Sequence, residues 1–150
     1  MKKSIQMSLV CGLVGLITGL FVSLNATGKD YTLFPLFSVL SSVMVSFFIW
    51  NKFVIQKDID SIGLGIFIGV IIVILSHYLT WYFMSLYLYL CNELTGKCLS
   101  SLGEKTMNPL ESIYLVLPLT LFSLIIAWIT LPLGAFLGGI MIKLQNNSRS

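Results

Sequence analysis

The chain offers few residues that could do chemistry. His77 is the only histidine, and it is the only readily titratable group well inside an apolar segment. Ionisable groups held in a membrane are costly and are functional candidates by default. With an ordinary pKa of about 6.5, an imidazole there could relay protons or sense pH. Ser76 and Thr80 stand beside it, and Trp81 lies one turn further along the same helical face. The simpler reading is a neutral histidine hydrogen-bonded to a serine or a backbone carbonyl across a helix bundle. No carboxylate falls within an apolar stretch to partner it, which weakens a proton-coupled transporter.

Cys91 and Cys98 share one polar segment. If their side of the membrane is oxidising, they can join as a disulfide, whose small ring would stabilise by about 2–3 kcal/mol. The alternative is two free thiols. Cys11 reads as a small apolar residue. Three cysteines and one histidine at different depths cannot supply four ligands, so no metal and no cofactor is expected. Asp58 and Asp60 straddle Ile59 as a weak cation site or, more simply, as solvated loop charges. Glu93, Glu104 and Glu111 share their segment with Lys97 and Lys105, a mixed surface suited to protein contact or plain solubility. Asn25-Ala26-Thr27 fits a glycosylation sequon, but it lies close to the membrane.

The elements that position these groups follow from composition. Of 150 residues, 57% are hydrophobic and only 10% charged. An ordinary soluble domain carries about 25% charged residues. The bilayer must therefore be the solvent, and a single all-α, polytopic membrane domain is expected. The net charge of +3 is small and dispersed, so no nucleic acid is expected as a partner.

Four apolar stretches stand out: 5–24, 33–50, 62–90 and 113–142. A span needs roughly 17–25 apolar residues. The first two just fit. As straight helices the last two would reach roughly 43–45 Å, so they must tilt, kink or project. The third is aliphatic first and then aromatic, with Tyr78, Trp81, Tyr82, Tyr87 and Tyr89, as expected of a helix emerging through the headgroup region. The fourth holds Pro118 near its start and Pro132 in its interior, where a mid-membrane bend is expected. Between the last two lies an expected outer loop, 91–112.

Lys2, Lys3, Lys52, Lys57, Lys143 and Arg149 fall on one side of this arrangement, and Lys29, Lys97 and Lys105 on the other. The positive-inside rule puts the first group, with both termini, in the cytoplasm. The basic, apolar N-terminus has the outline of a signal peptide, but its apolar run is long and its cleavage-like sites are poor. A retained first helix, in a bacterial inner membrane, is expected.

Membrane helices associate where small residues let backbones approach. Each stretch carries such residues four apart on one face: Gly15 and Gly19; Ser38, Ser42 and Ser46; Gly65 and Gly69; Gly134 and Gly138. These predict a four-helix bundle closed tightly near the cytoplasm and wider outside. The alternatives are a dimer seam or no packing role.

No phosphate-binding loop, no Gly-x-Ser-x-Gly elbow, no His-Glu-x-x-His and no arginine series is present. An enzyme is not expected. The expected function is a small accessory protein that recognises another membrane protein, or a second copy of itself, through its helices and outer loop. Immunity and exclusion proteins are similar in size and architecture alone. The alternatives are a subunit or assembly factor of a larger membrane complex, and a minimal oligomeric transporter of a neutral or lipidic substrate.

Overall fold

A computed structural model describes residues 2–26, 29–96, 98, 106–126 and 128–147, and every regular element among them is helical. Backbone polar groups in lipid have no water to bind, and a helix satisfies them within its own segment. The chain forms α1 (Lys2–Asn25), a 3₁₀ turn (Lys29–Leu33), α2 (Phe34–Ile49), a π-helical turn (Trp50–Ile55), α3 (Ile62–Thr95), α4 (Pro109–Ile126) and α5 (Thr130–Asn147). Three helical runs are long and apolar enough to cross a membrane: Lys3–Asn25, Tyr31–Ile55 and Ile62–Thr95.

Local chemistry sets the boundaries. Pro35 sits in the first turn of α2, where no backbone N–H is needed. At its other end the chain widens into the π turn, with the Gln56 N–H bonded to Asn51 O at 3.0 Å. This turn swings Trp50 and Val54 fully inside. Asp58 then reverses the chain with a left-handed φ of 52°, a conformation that aspartate tolerates better than most residues.

The third stretch does not end at Leu90. α3 continues to Thr95, where Gly96 takes a left-handed φ of 65° and donates its N–H to Asn92 O at 2.8 Å. Thr95 Oγ1 also donates to Cys91 O at 2.7 Å. Glycine just past the last turn is the usual helix stop, and nothing between Leu90 and Thr95 opposes helix. At the far side α4 begins at Pro109 rather than at Ile113. The expected loop 91–112 therefore gives Cys91–Thr95 and Pro109–Ser112 to helices, while 99–105 lies outside the described residues.

The largest departure concerns the fourth stretch. It is not one bent span over 113–142 but two helices of 18 residues each, with Trp128 and Ile129 in a turn between them. Pro132 cannot donate to Trp128 O, and its ring crowds that carbonyl. α4 is described as far as Ile126, and the chain restarts at Thr130 with Pro132 in the first turn of α5. Pro118 is carried inside α4.

α4 and α5 run one after the other, antiparallel to α3. Ser85 Oγ meets Ser112 Oγ at 2.8 Å, Tyr78 Oη donates to Ile113 O at 3.0 Å, and Asn146 Nδ2 donates to Asp60 O at 2.9 Å. Between these points α3 and α5 approach at glycines. A Cβ built on Gly69 would run into Gly134 O and lie 2.9 Å from Gly134 C. One on Gly138 would run into Gly65 O. The first two helices meet in the same way: a Cβ on Gly15 would lie 2.8 Å from Ser38 O, and one on Gly19 would lie 2.7 Å from Pro35 Cα.

The interior combines small polar side chains with one apolar cluster, and the exterior is large and apolar. Ser4, Ser38, Ser41, Ser42, Ser46 and Thr80 are buried, while Ile17, Phe21, Phe48, Phe67 and Phe136 are each at least 60% exposed. Ser41 and Ser46 donate back to their own helix, to Phe37 O and Ser42 O, while Ser4 reaches Asn51 Oδ1 on the π turn. The apolar core lies toward the end carrying both termini. There Met7, Trp50, Val54, Ile68, Ile72, Met141 and Ile142 pack together.

Gly69→Ala places a methyl against backbone that cannot yield, so it should cost about 1–3 kcal/mol. Gly63→Ala meets nothing closer than Ser61 Oγ at 3.9 Å and should leave stability unchanged or slightly raised. Denaturant unfolding in micelles compares the two. Equal effects would show that α3 and α5 do not touch at these glycines.

Candidate site at the break between α4 and α5

The break brings the end of α4 and the start of α5 together at mid-length of α3. At any helix end the last carbonyls and first N–H groups lack intrahelical partners, so polar side chains gather there. His77, on α3, faces this point. Its Nε2 lies 3.1 Å from Thr130 Oγ1, at the first residue of α5. Its Nδ1 lies 3.3 Å from Ser123 Oγ, in the last turn of α4. One imidazole thus bridges the two halves of the broken element.

The chemistry of this bridge is adaptable. Ser123 Oγ also reaches Thr120 O at 2.9 Å. When its proton goes to Nδ1, Nε2 carries the ring proton and donates to Thr130. When the proton goes to Thr120 O, Ser123 accepts from Nδ1–H and Thr130 donates to Nε2. Hydroxyls serve in either role, so both neutral tautomers are satisfied. A doubly protonated ring would also find two acceptors.

The residues grouped with His77 on sequence grounds divide between two faces of α3. Thr80 Oγ1 donates to Ser76 O at 2.7 Å and lies 2.6 Å from Ser41 Oγ, tying α3 to α2. Ser76 Oγ is buried with no hydrogen-bond partner. Trp81 turns to the start of α2, its ring edge-on to Phe34 at 5.5 Å and to Tyr31 at 6.3 Å. His77 alone turns to α4 and α5. Ser123 and Thr130 went unremarked in the sequence. Their spacing of seven, two helical turns, within an otherwise apolar run was the available signal.

At the far end of α3, Cys91 and Cys98 form a disulfide with Cα atoms 5.6 Å apart. The ring encloses the left-handed turn at Gly96 and holds Glu93, Leu94 and Thr95 exposed. Asn92 Nδ2 donates to Thr106 Oγ1 at 3.1 Å, tying this end to the segment before α4. Cys11 packs beside the apolar core at the opposite end. Glu111 is exposed on α4, as are Asp58 and Asp60 in the turn before α3. Glu104, Lys97, Lys105 and Thr27 lie outside the described residues. Among the described residues, no three of the His, Cys, Asp and Glu side chains come together.

Comparison with protein-family models, with curated proteins and with solved structures gives no significant match.

A double-mutant cycle of His77→Ala with Thr130→Ala should give a coupling of about 0.6–1.7 kcal/mol, the range of interhelical hydrogen bonds in membranes. The cycle of His77→Ala with Ser41→Ala should give none. Unfolding in a bilayer-mimetic detergent provides the numbers, and equal couplings would mean that His77 does not bridge the break.

Proposed function

We propose that this chain is an integral membrane accessory protein that recognises another membrane protein through the disulfide-closed end of α3. The observation that carries this reading is the reach of α3. Its 34 residues span about 51 Å, against roughly 30 Å of hydrocarbon. The surplus carries the helix out of the lipid and delivers a covalently closed turn with Glu93, Leu94 and Thr95 on its surface. A loop held to one shape binds with less ordering cost than a free one. The helices supply the remaining contacts through packing alone, as immunity and exclusion proteins against membrane-inserted partners would, with no catalysis of their own.

This reading takes the chain to cross four times. α4 and α5 together follow α3 from Ser112 beside Ser85 to Asn146 beside Asp60, so a membrane crossed by α3 is crossed by the pair as well. In this reading the basic residues near Lys2, Lys52 and Lys143 support a cytoplasmic side for both termini in a bacterial inner membrane, with the disulfide facing the oxidising space outside it.

The break at His77 favours a second reading. Discontinuous helices near the bilayer midplane form substrate sites in many transporters. A neutral or lipidic substrate would suit the uncharged surroundings of Ser123 and Thr130. Flux that fails in His77→Ala and persists in Cys98→Ser would favour transport over recognition.

A photoreactive residue at Leu94 should cross-link one membrane protein in living cells, and Cys98→Ser should reduce the adduct several-fold without loss of the folded helices. Absence of an adduct, or an adduct indifferent to the disulfide, would overturn the recognition reading. A partner recovered in fixed stoichiometry would identify the chain as a complex subunit, and a partner that is a second copy would identify an oligomer.

A further inference from the structure

An open groove of about 300 Å³ runs along the outside of the bundle between α3 and α5. Ile62 and Ile66 form one wall, Phe136 and Ile140 the other, and Ala135 and Gly139 the floor. The floor is low because a side chain at Gly139 would press on Ile66, whose Cγ1 lies 3.2 Å from the Cβ position. The lining is almost wholly apolar. In a bilayer such an apolar furrow on the outside of the bundle is open to lipid acyl chains rather than to water.

One end of the groove is different. Lys143 follows Ala135 and Gly139 at four-residue steps, on the same face of α5 and about 12 Å along it from Ala135. Beyond it the sequence turns polar, with Gln145, Asn146 and Asn147. On the α3 side the groove ends at Ile62, just after Asp60 and Ser61. Both walls therefore leave the apolar zone at the same level, where a headgroup would sit. Among the described residues Lys143 has no hydrogen bond or ion pair, and its ammonium is exposed. Lys3, Lys52 and Lys57 lie at the same end, Lys3 donating to Leu144 O, and with Lys143 they outnumber Asp58 and Asp60, so the field there is positive on balance.

From these observations the geometry points to a lipid-binding site, in which an acyl chain of an anionic phospholipid lies in the groove and its phosphate pairs with Lys143. The apolar furrow alone would take any acyl chain. The lysine at its mouth selects the anionic headgroup. Basic positions at the cytoplasmic ends of membrane helices recognise acidic lipids in this way. The site is separate from the disulfide end and from the break at His77, and it stands whichever functional reading holds.

The test is native mass spectrometry of the full chain released from micelles, titrated with phosphatidylglycerol and with phosphatidylcholine of identical acyl chains. The wild type should retain the anionic lipid about fivefold more tightly, the equivalent of about 1 kcal/mol for one lysine near the surface. Lys143→Gln should abolish this preference and leave the neutral lipid unaffected. Lys52→Gln removes the same charge from the same end and should preserve the preference. Ala135→Leu fills the floor and should weaken both lipids, with helix content by circular dichroism confirming that the variant folds. Equal retention of the two lipids by the wild type would overturn the site. So would a Lys52→Gln effect as large as that of Lys143→Gln, unchanged binding in Ala135→Leu, or a dimer that excludes lipid from the groove.

Discussion

Backbone-to-backbone contact between α3 and α5 is the constraint on which the rest of the molecule depends. In lipid, helices gain nothing by hiding leucines from the solvent, because the solvent is as apolar as leucine. Cohesion has to come from close approach, and close approach needs side chains to be missing. Gly65 and Gly69 face Gly138 and Gly134 so tightly that an added Cβ on any of them meets backbone or a neighbouring isoleucine or valine. Gly15 and Gly19 make the same concession to Ser38 and Pro35 on α2. The molecule is then two tightly apposed pairs, α1 with α2 and α3 with α5, joined by the core around Trp50, Ile72 and Ile142 and by the Ser41–Thr80 contact.

The polar groups obey a second rule that follows from the first. Several hydroxyls buried between close helices, those of Ser46, Thr80 and Thr120 among them, bond to their own turn and so carry little desolvation penalty. At the break in the fourth apolar stretch, side chains from three helices meet instead. His77, Ser123 and Thr130 gather at this point. The imidazole offers two nitrogens in opposite directions, which is what bridging two helix ends requires.

Some of this was legible in the residues. Long apolar runs name membrane helices reliably, and four-residue spacing of glycine and serine names a face. A small-residue face does not name its partner, so the pairing of α1 with α2 and of α3 with α5 was not legible from spacing. Pro132 marked a defect in the fourth stretch, but a bend and a break differ only in whether neighbouring groups can serve the freed carbonyl, and that depends on α3. The length of α3 was missed because Asn92, Glu93 and Thr95 read as loop, whereas Gly96 was the true stop. The π turn that carries Trp50 inside left no signal in the residues. His77 stood out as a lone buried histidine. Its partners did not, because serine and threonine are unremarkable in membrane helices.

The account turns on α4 and α5 being successive halves of one companion to α3 within a single chain. Paired cysteines tested in native membranes of a Cys11→Ala background address this most directly. Ser85→Cys with Ser112→Cys probes the end near the disulfide, where the serine hydroxyls lie 2.8 Å apart. Ile62→Cys with Gly139→Cys probes the opposite end, where a Cβ at 139 lies 3.6 Å from Ile62 Cγ2. Rapid intramolecular cross-linking of both pairs is the predicted result. Cross-linking of either pair only between chains, or of neither, would contradict it.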